Sequence, residues 1–281
     1  MKTSITAAVA AALLLAATAG QASTITAWTF ENLAQAVNNT PAASTGTGSA
    51  SALGMDGYAT PQVGVNTDDV LAGVAADTGT NKIANTSNIW RIRAQNSANT
   101  ANGWSSLAPI GTQGAQFLTS TAGYTGIKVT FDWYATNQGE AKLQFEYTTD
   151  GVNWINTSLS GGAGTGVSFL TNSASANTVK GAYVNIGTAG QNWVTGLYAT
   201  ITDPNAANDA NFGFRLVNAA TGTDNVSAKG TALNNNSGNW RFDNVVVSGT
   251  LASTPVPLPA SAWLLGSGVL GLVALSRRRK A

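Results

Sequence analysis

The chain of 281 residues contains no cysteine and no histidine. Without cysteine it cannot form disulfides, thiolate metal sites or a cysteine nucleophile. Without histidine it lacks the Ser-His-Asp triad, histidine-ligated zinc and an imidazole general base. We therefore expect side-chain packing alone to stabilise the fold, and the sequence predicts a protein that is not an enzyme of any of these classes.

Charge is also scarce, since only 10% of the residues are Asp, Glu, Lys or Arg. This composition is not typical of a nucleic-acid binder or of a charged helical bundle. Setting aside Lys2 and the run Arg277 to Lys280 leaves nine basic against thirteen acidic residues, a net charge of −4 for the central part. Polyanionic partners, including nucleic acids, are therefore disfavoured.

Residues 1–22 follow the pattern of a secretory signal peptide. Lys2 supplies the positive charge, Ile5 to Ala17 is rich in Ala and Leu, and Gly20 and Ala22 provide the small residues that signal peptidase reads. The alternative is a short buried helix. We expect signal peptidase to remove this segment during export.

The other end of the chain has an uncharged run of 16 residues, Ala260 to Leu275. As a helix it is about 24 Å long, which nearly spans a bilayer core. Prolines lie within 255–259 before it, and the basic cluster 277–280 follows it. The sequence predicts a transmembrane helix over residues 260–276 with a cytoplasmic C-terminus.

The segment VPLPASAWLLGSGVLGLVALSRRRK, Val256 to Lys280, resembles the sorting tail of the bacterial PEP-CTERM surface proteins. That tail combines a short proline-flanked motif, an apolar helix and an arginine cluster. The resemblance covers the end of the tail 251–281, and Leu258 stands where the family usually has Glu. The residues of the expected sorting motif are Val256, Pro257, Leu258, Pro259, Trp263, Arg277, Arg278 and Arg279.

This resemblance implies cleavage near the motif by an exosortase, a membrane protease, followed by release or attachment in an exopolysaccharide-rich envelope or biofilm. The alternative is a plain single-pass anchor. In either case we expect an exported protein that the C-terminal helix holds in the membrane before any processing.

Between the two ends, residues 23–250 predict one all-β domain of about nine to twelve strands. The strongest stretch, Lys128 to Trp154, predicts a hairpin followed by a third strand after an Asp150-Gly151 turn. Residues 32–60 are small and polar, which predicts a flexible segment, either a long surface loop or a weakly packed insert. Further predicted strands are Ile25 to Phe30, Ala182 to Ile186, Trp193 to Ile201, Phe212 to Val217 and Trp240 to Ser248.

Pieces such as IWRIR, TFDWYA, LQFEYTTDGVNW and WRFDNVVVSG are similar to secreted jelly-roll domains, which are related in shape to carbohydrate-binding and laminin-G modules. The resemblance implies a jelly-roll-like β-sandwich in which the first and last strands pair. In some relatives a structural calcium ion lies near that pairing. Glu31 and Asp243 are the carboxylates that the topology would bring together for Ca²⁺, and the alternative is two solvated acids.

Aromatic side chains are the other candidate binding groups, because exposed rings can stack on sugars. Trp104 in ANGWSS and Trp193 in GQNW lie in loop-like contexts, so they are the candidate ligand-binding residues. Trp28, Trp133 and Trp240 lie within strand patterns and are expected to be buried.

Carboxylate catalysis finds no support, because Glu140 and Glu146 would lie about 20 Å apart along a regular strand, too far for a glycosidase pair. Two functions remain. The first is a non-catalytic surface or extracellular-matrix protein associated with polysaccharide. The alternative is a carbohydrate-binding module that uses exposed loop aromatics.

Overall fold

The computed structural model describes residues 21–31, 33, 40–54, 70–72, 88–93, 103–163, 167–171, 179, 181–187, 193–235 and 238–252. Residues 21–251 form one compact unit. No helix within the described ranges is long and apolar enough to cross a membrane. The predicted transmembrane helix over 260–276 and nearly all of the predicted signal peptide lie outside these ranges.

The body is all-β, as predicted, and consists mainly of two antiparallel sheets of seven strands each. The first sheet contains β1 (Ala22–Trp28), β3 (Val70–Ala72), β4 (Asn88–Arg93), β7 (Tyr124–Ala135), β10 (Ser160–Ala163), β13 (Trp193–Thr200) and β16 (Asn239–Leu251). The second contains β2 (Gly48–Leu53), β6 (Gly114–Thr119), β8 (Lys142–Thr148), β9 (Ile155–Thr157), β11 (Ser168–Thr171), β12 (Ala182–Asn185) and β14 (Gly213–Asn218). The short strands β5 (Trp104–Ser105) and β15 (Asn234–Asn235) pair separately.

Strand order in the first sheet is β10-β13-β7-β16-β4-β3, with β1 also pairing with β16, and in the second sheet it is β11-β12-β8-β14-β6-β2, with β9 on β8. The central pairs are nested along the chain. β4 pairs with β16, β6 with β14, β7 with β13 and β8 with β12. The expected pairing of the first and last strands is confirmed, since β1 lies antiparallel to β16.

One aromatic core lies between the two sheets. The ring of Trp28 on the first sheet lies 5.0 Å from that of Phe117 on the second, in an edge-to-face arrangement. Phe214 stacks on Phe117 at 4.8 Å and on Phe145 at 5.6 Å. The Trp28–Phe117 contact joins the two sheets, whereas the stacks of Phe214 join neighbouring strands of the second sheet. Each fully buried large side chain contributes about 1.5–3 kcal/mol. Trp28, Trp133 and Trp240 are buried, as predicted.

In the sequence AKLQFEY, residues 141–147, apolar residues alternate with polar ones, which predicts a strand with one buried face. This is confirmed, because Leu143, Phe145 and Tyr147 are buried core residues of β8. The predicted hairpin before it is wrong, however. β7 and β8 belong to different sheets, and β7 pairs with β13 and β16. Apolar and polar residues alternate in both strands, and both strands bury aromatic residues. These residues enter the same core from opposite sheets.

The predicted loop over 32–60 is also wrong in part, because its residues Gly48–Leu53 form the edge strand β2. All six residues of β2 pair in register with β6. Ala50 is buried in the core and the small neighbouring residues lie at the sheet edge. The small residues of this segment show no apolar alternation in the sequence. They suit the structure because β2 lies close to the core, where a Cβ added at Gly48 would lie 2.7 Å from the Trp28 ring.

Candidate functional site

The outer face of the second sheet carries a row of polar side chains across three neighbouring strands. Because side chains alternate along a strand, the core positions Leu143 and Phe145 leave Glu146 on the opposite face. In the strand register, Arg215 on β14 is the partner of Glu146 on one side and of Gln116 on the other. The row therefore runs Gln116, Arg215, Glu146 across β6, β14 and β8.

Arg215 is held in place by two neighbours. Its Nε donates a hydrogen bond to Oε1 of Gln116 at 2.8 Å, and its guanidinium carbon lies 3.7 Å from the centre of the Trp154 ring system. The Arg215 side chain makes no other hydrogen bond to the described part of the chain, so its Nη donors are available to another molecule. Partial burial lowers the pKa of Arg215, and the nearby negative charge of Glu146 opposes that shift.

Trp154 reaches this face because of the turn that precedes it. Asp150 Oδ1 accepts hydrogen bonds from the backbone N–H groups of Val152 and Asn153 at 2.8 and 2.7 Å, while Gly151 takes the left-handed conformation at φ +74°. The predicted Asp150-Gly151 turn is thus confirmed. Of the tryptophans that the structure describes, Trp154 is the one that is not buried.

Glu146 supplies an acceptor next to these donors. Its Oε1 accepts a hydrogen bond from Gln144 Nε2 at 2.5 Å, and Oε2 has no hydrogen bond to a described residue. Partial burial raises the pKa of Glu146, and the charge of Arg215 and the Gln144 hydrogen bond oppose that shift. Gly111, at φ +81°, lies so close that an added Cβ would be 3.2 Å from Glu146 Oε1.

Two open clefts flank the Arg215–Trp154 stack. One, of about 420 Å³, is lined by Pro109, Ile110, Gln144, Glu146, Asn156, Gly181 and Thr221. The other, of about 470 Å³, includes Gln116 and Leu118 together with residues of β2 and of the 210–212 segment. The polar row therefore connects the two clefts, with the stack between them.

Asn156 forms a rigid wall of the first cleft. Its Nδ2 donates to the carbonyl of Ala182 at 2.9 Å, and its Oδ1 accepts from the N–H of the same residue at 2.6 Å. The neighbouring Gly181 has φ +71°, and a Cβ there would lie 2.3 Å from Asn156 Oδ1. Only glycine fits this approach, so the backbone itself determines the shape of this wall.

The expectation that Trp104 and Trp193 present exposed rings is wrong, because their exposed fractions are 0% and 1%. Trp104 packs against Trp240 in the main core, with 4.6 Å between ring centres. Trp193 packs 5.4 Å from Tyr134, and with Ile89 they form a separate small cluster. Glycine and asparagine around both tryptophans suggested loops, but each tryptophan begins a strand and its ring is buried by packing on another aromatic residue.

Trp154, which lies on the accessible face, has a similar polar context in GVNWIN. The distinguishing signal is the Asp-Gly turn just before it, since turns lie on the protein surface. The cross-strand position of Arg215 had no sequence signal, because the register between distant strands is not readable from one chain.

The two candidate calcium ligands come from the paired first and last strands, since Glu31 follows β1 and Asp243 is part of β16. Glu31 Oε2 accepts a hydrogen bond from the backbone N–H of Asn88 at 3.1 Å. Asp243 is fully buried on β16, and its Oδ1 accepts from the N–H of Asn244 at 2.7 Å. Among the residues described, no group of three or more His, Cys, Asp or Glu side chains is arranged to hold a metal ion. Calcium binding by Glu31 and Asp243 stays a prediction.

The expected sorting residues, from Val256 to Arg279, lie outside the described residues. A scan of protein-family models and a search of curated proteins find no match to the chain.

Proposed function

We propose that this chain is an exported, non-catalytic surface or extracellular-matrix protein whose β-domain binds polysaccharide. The observation that carries this proposal is the open polar face of the second sheet. There an aromatic ring, a guanidinium, a carboxylate and side-chain amides lie between two clefts. Sites for small polar ligands combine apolar or aromatic surface with a few well-placed polar groups, and this face has that composition.

The strand order supports a jelly-roll form of the sandwich. A jelly roll is a long antiparallel hairpin folded over into two sheets, so its strands pair in a nested order. The nested pairs β4–β16, β6–β14, β7–β13 and β8–β12 follow that order.

Export and sorting rest on the two ends of the sequence. The signal-peptide pattern of residues 1–22 supports secretion, and the tail from Val256 to Lys280 supports retention in the membrane and processing by an exosortase-like enzyme. A structural calcium ion between Glu31 and Asp243 is a further part of this proposal.

A non-catalytic role agrees with the chemistry of the chain, which has neither histidine nor cysteine. Glu140 and Glu146 differ in surroundings, because Glu140 is fully buried while Glu146 lies on the outer face. Glycoside hydrolysis needs two carboxyl groups on either side of one bond, and a buried one cannot take part.

Affinity electrophoresis tests the proposal. We expect the full-length protein, purified in mild detergent, to be retarded in native gels that contain polysaccharide from the envelope of its own host. Unchanged mobility in every polysaccharide fraction would contradict the binding function. Release of reducing sugar from the same fractions would contradict the non-catalytic role.

A further inference from the structure

The outer face of the second sheet holds a matched donor and acceptor, and we propose that Arg215 and Glu146 bind neighbouring hydroxyl groups of a neutral polysaccharide, with Trp154 as the residue that positions Arg215. This inference rests on the proposed polysaccharide binding and adds the site and the chemical class of the ligand.

The spacing of the two charged side chains suits a pair of adjacent hydroxyls. Arg215 and Glu146 are register partners on neighbouring antiparallel strands, which places their Cβ atoms about 4.5–5.5 Å apart on one face. They make no hydrogen bond to each other, since Arg215 Nε donates to Gln116 and Glu146 Oε1 accepts from Gln144. Arg215 and Glu146 therefore share no hydrogen bond, although their opposite charges are close enough to affect each other's pKa.

A sugar hydroxyl both donates and accepts a hydrogen bond. Two neighbouring hydroxyls can thus accept from the guanidinium and donate to the carboxylate at the same time. Hydrogen bonds to charged groups contribute about 1.5–3 kcal/mol each, which is enough to give this pair a measurable share of the affinity.

Charge favours a neutral ligand over an acidic one. Arg215 and Glu146 carry opposite charges, so the pair offers no net positive charge to an anion. The central part of the chain has nine basic and thirteen acidic residues, and its net charge of −4 repels a polyanion. An acidic polysaccharide would also bring its carboxylates close to Glu146.

Trp154 acts on the ligand through Arg215. Its ring stacks against the guanidinium at 3.7 Å, and Gln116 fixes Nε from the other side. Stacking of this kind contributes about 0.5–1 kcal/mol or more at a partly exposed site and restricts the long arginine side chain to one orientation. Less conformational entropy is then lost when the sugar binds.

The two clefts indicate a polymer rather than a single sugar. Glu146 and Gln144 line the first cleft and Gln116 lines the second, so a chain crossing Arg215 would enter both. Both clefts are open to solvent, which allows the polymer to continue past either end of the face.

The test measures association constants by affinity electrophoresis of the full-length protein. The probes are polysaccharide from the host's own envelope, separated by anion exchange into neutral and acidic fractions. Arg215→Gln should lower the association constant for the neutral fraction at least tenfold. Trp154→Ala should lower it about two- to fivefold, which corresponds to 0.5–1 kcal/mol. Trp154→Phe, which keeps an aromatic ring under the guanidinium, should restore most of it.

Tyr198→Ala is the matched control, because Tyr198 lies on the first sheet with Lys128 Nζ 3.9 Å from its ring centre. This variant loses an equivalent cation–aromatic contact and should bind as well as the parent. The double variant Trp154→Ala with Arg215→Gln should bind no more weakly than Arg215→Gln alone, since a positioning residue has nothing left to position. Thermal melting confirms that each variant is folded.

The outcomes separate this inference from the function on which it rests. Neutral polysaccharide bound equally by the parent and the Arg215 and Trp154 variants would overturn the site, while polysaccharide binding would stand. Binding of the acidic fraction alone would overturn the neutral class. Binding of neither fraction would overturn both the inference and the proposed function. An additive loss in the double variant would overturn the positioning role of Trp154.

Discussion

Glu140 provides the sharpest test of the fold, because its carboxyl group is fully buried in the body. Oε1 accepts a hydrogen bond from the backbone N–H of Lys142 at 2.9 Å, while Oε2 is buried with no partner among the described residues. Its backbone carbonyl accepts the indole N–H of Trp240 at 2.7 Å. Replacing Glu140 with Gln keeps the shape and the Lys142 hydrogen bond but removes the ionisable group.

Burial raises the pKa of Glu140 well above its ordinary value, although the N–H groups of Lys142 and Ala141 and the charge of Lys142 oppose the shift. The folded protein thus holds the proton at pH values where the unfolded chain has released it. The stabilisation is complete below the unfolded pKa of about 4.3 and is lost as the pH rises towards the folded pKa, by about 1.4 kcal/mol per pH unit.

Urea unfolding followed by tryptophan fluorescence measures this effect, with parent and Glu140→Gln compared from pH 4.5 to 8.5. The free energy of unfolding of the parent should fall with rising pH relative to that of the variant. The absolute stability of the variant is not the test, because its amide leaves a buried N–H group unpaired at a cost of about 1–3 kcal/mol.

The prediction concerns only how the difference in free energy of unfolding between the two proteins changes with pH. Glu146 and the other acidic residues contribute equally to both proteins and cancel in this difference. Asp150→Asn is the control. Hydrogen bonds from the Asn153 side chain, the Asn153 and Val152 N–H groups and Thr148 lower the pKa of Asp150, so its stabilising effect is lost only as the pH falls. Parallel pH profiles for the parent and Glu140→Gln would refute the buried, protonated carboxyl.

Phe214→Ala should lower the free energy of unfolding by about 3–5 kcal/mol in urea melts, whereas Phe169→Ala, at a position 44% exposed, should change it by less than about 0.5 kcal/mol; equal effects would contradict the shared core. If calcium bridges Glu31 and Asp243, thermal melting of the full-length protein should be several degrees higher with calcium than with chelator, and identical curves would rule the ion out. If the tail is processed, mass spectrometry of protein from the host envelope should place the mature C-terminus near Pro257, and intact tails as the main species would favour a plain anchor.

The sequence was sufficient for the parts of the fold that depend on neighbouring residues. The alternation in β8 identified its core face, and Asp150-Gly151 identified the turn after it. Which strands pair with each other could not be predicted in this way. Apolar and polar residues alternate in both β7 and β8, and the same pattern is expected whether the two strands are neighbours in one sheet or face each other across the core.

The candidate site could not be predicted because it depends on which strands pair and in which register. Arg215 and Glu146 are far apart in sequence and meet only through the register of β14 with β8. The choice between Trp104 and Trp154 likewise depended on which ring the core covers. Both follow Gly and Asn, but Trp104 packs on Trp240, whereas Trp154 lies outside β8 under Arg215.

The position of β16 has a consequence for the timing of folding. This last strand lies inside the first sheet, where it pairs with β1, β4 and β7 along its 13 residues. Until residues 239–251 have been synthesised, β1, β4 and β7 each lack the neighbour that joins them into one sheet. Long-range pairing of this kind is slow. If the chain is exported as proposed, it cannot complete its first sheet until almost all of the β-domain has crossed the membrane. The strand that completes the sheet ends at Leu251, shortly before the predicted transmembrane helix over 260–276.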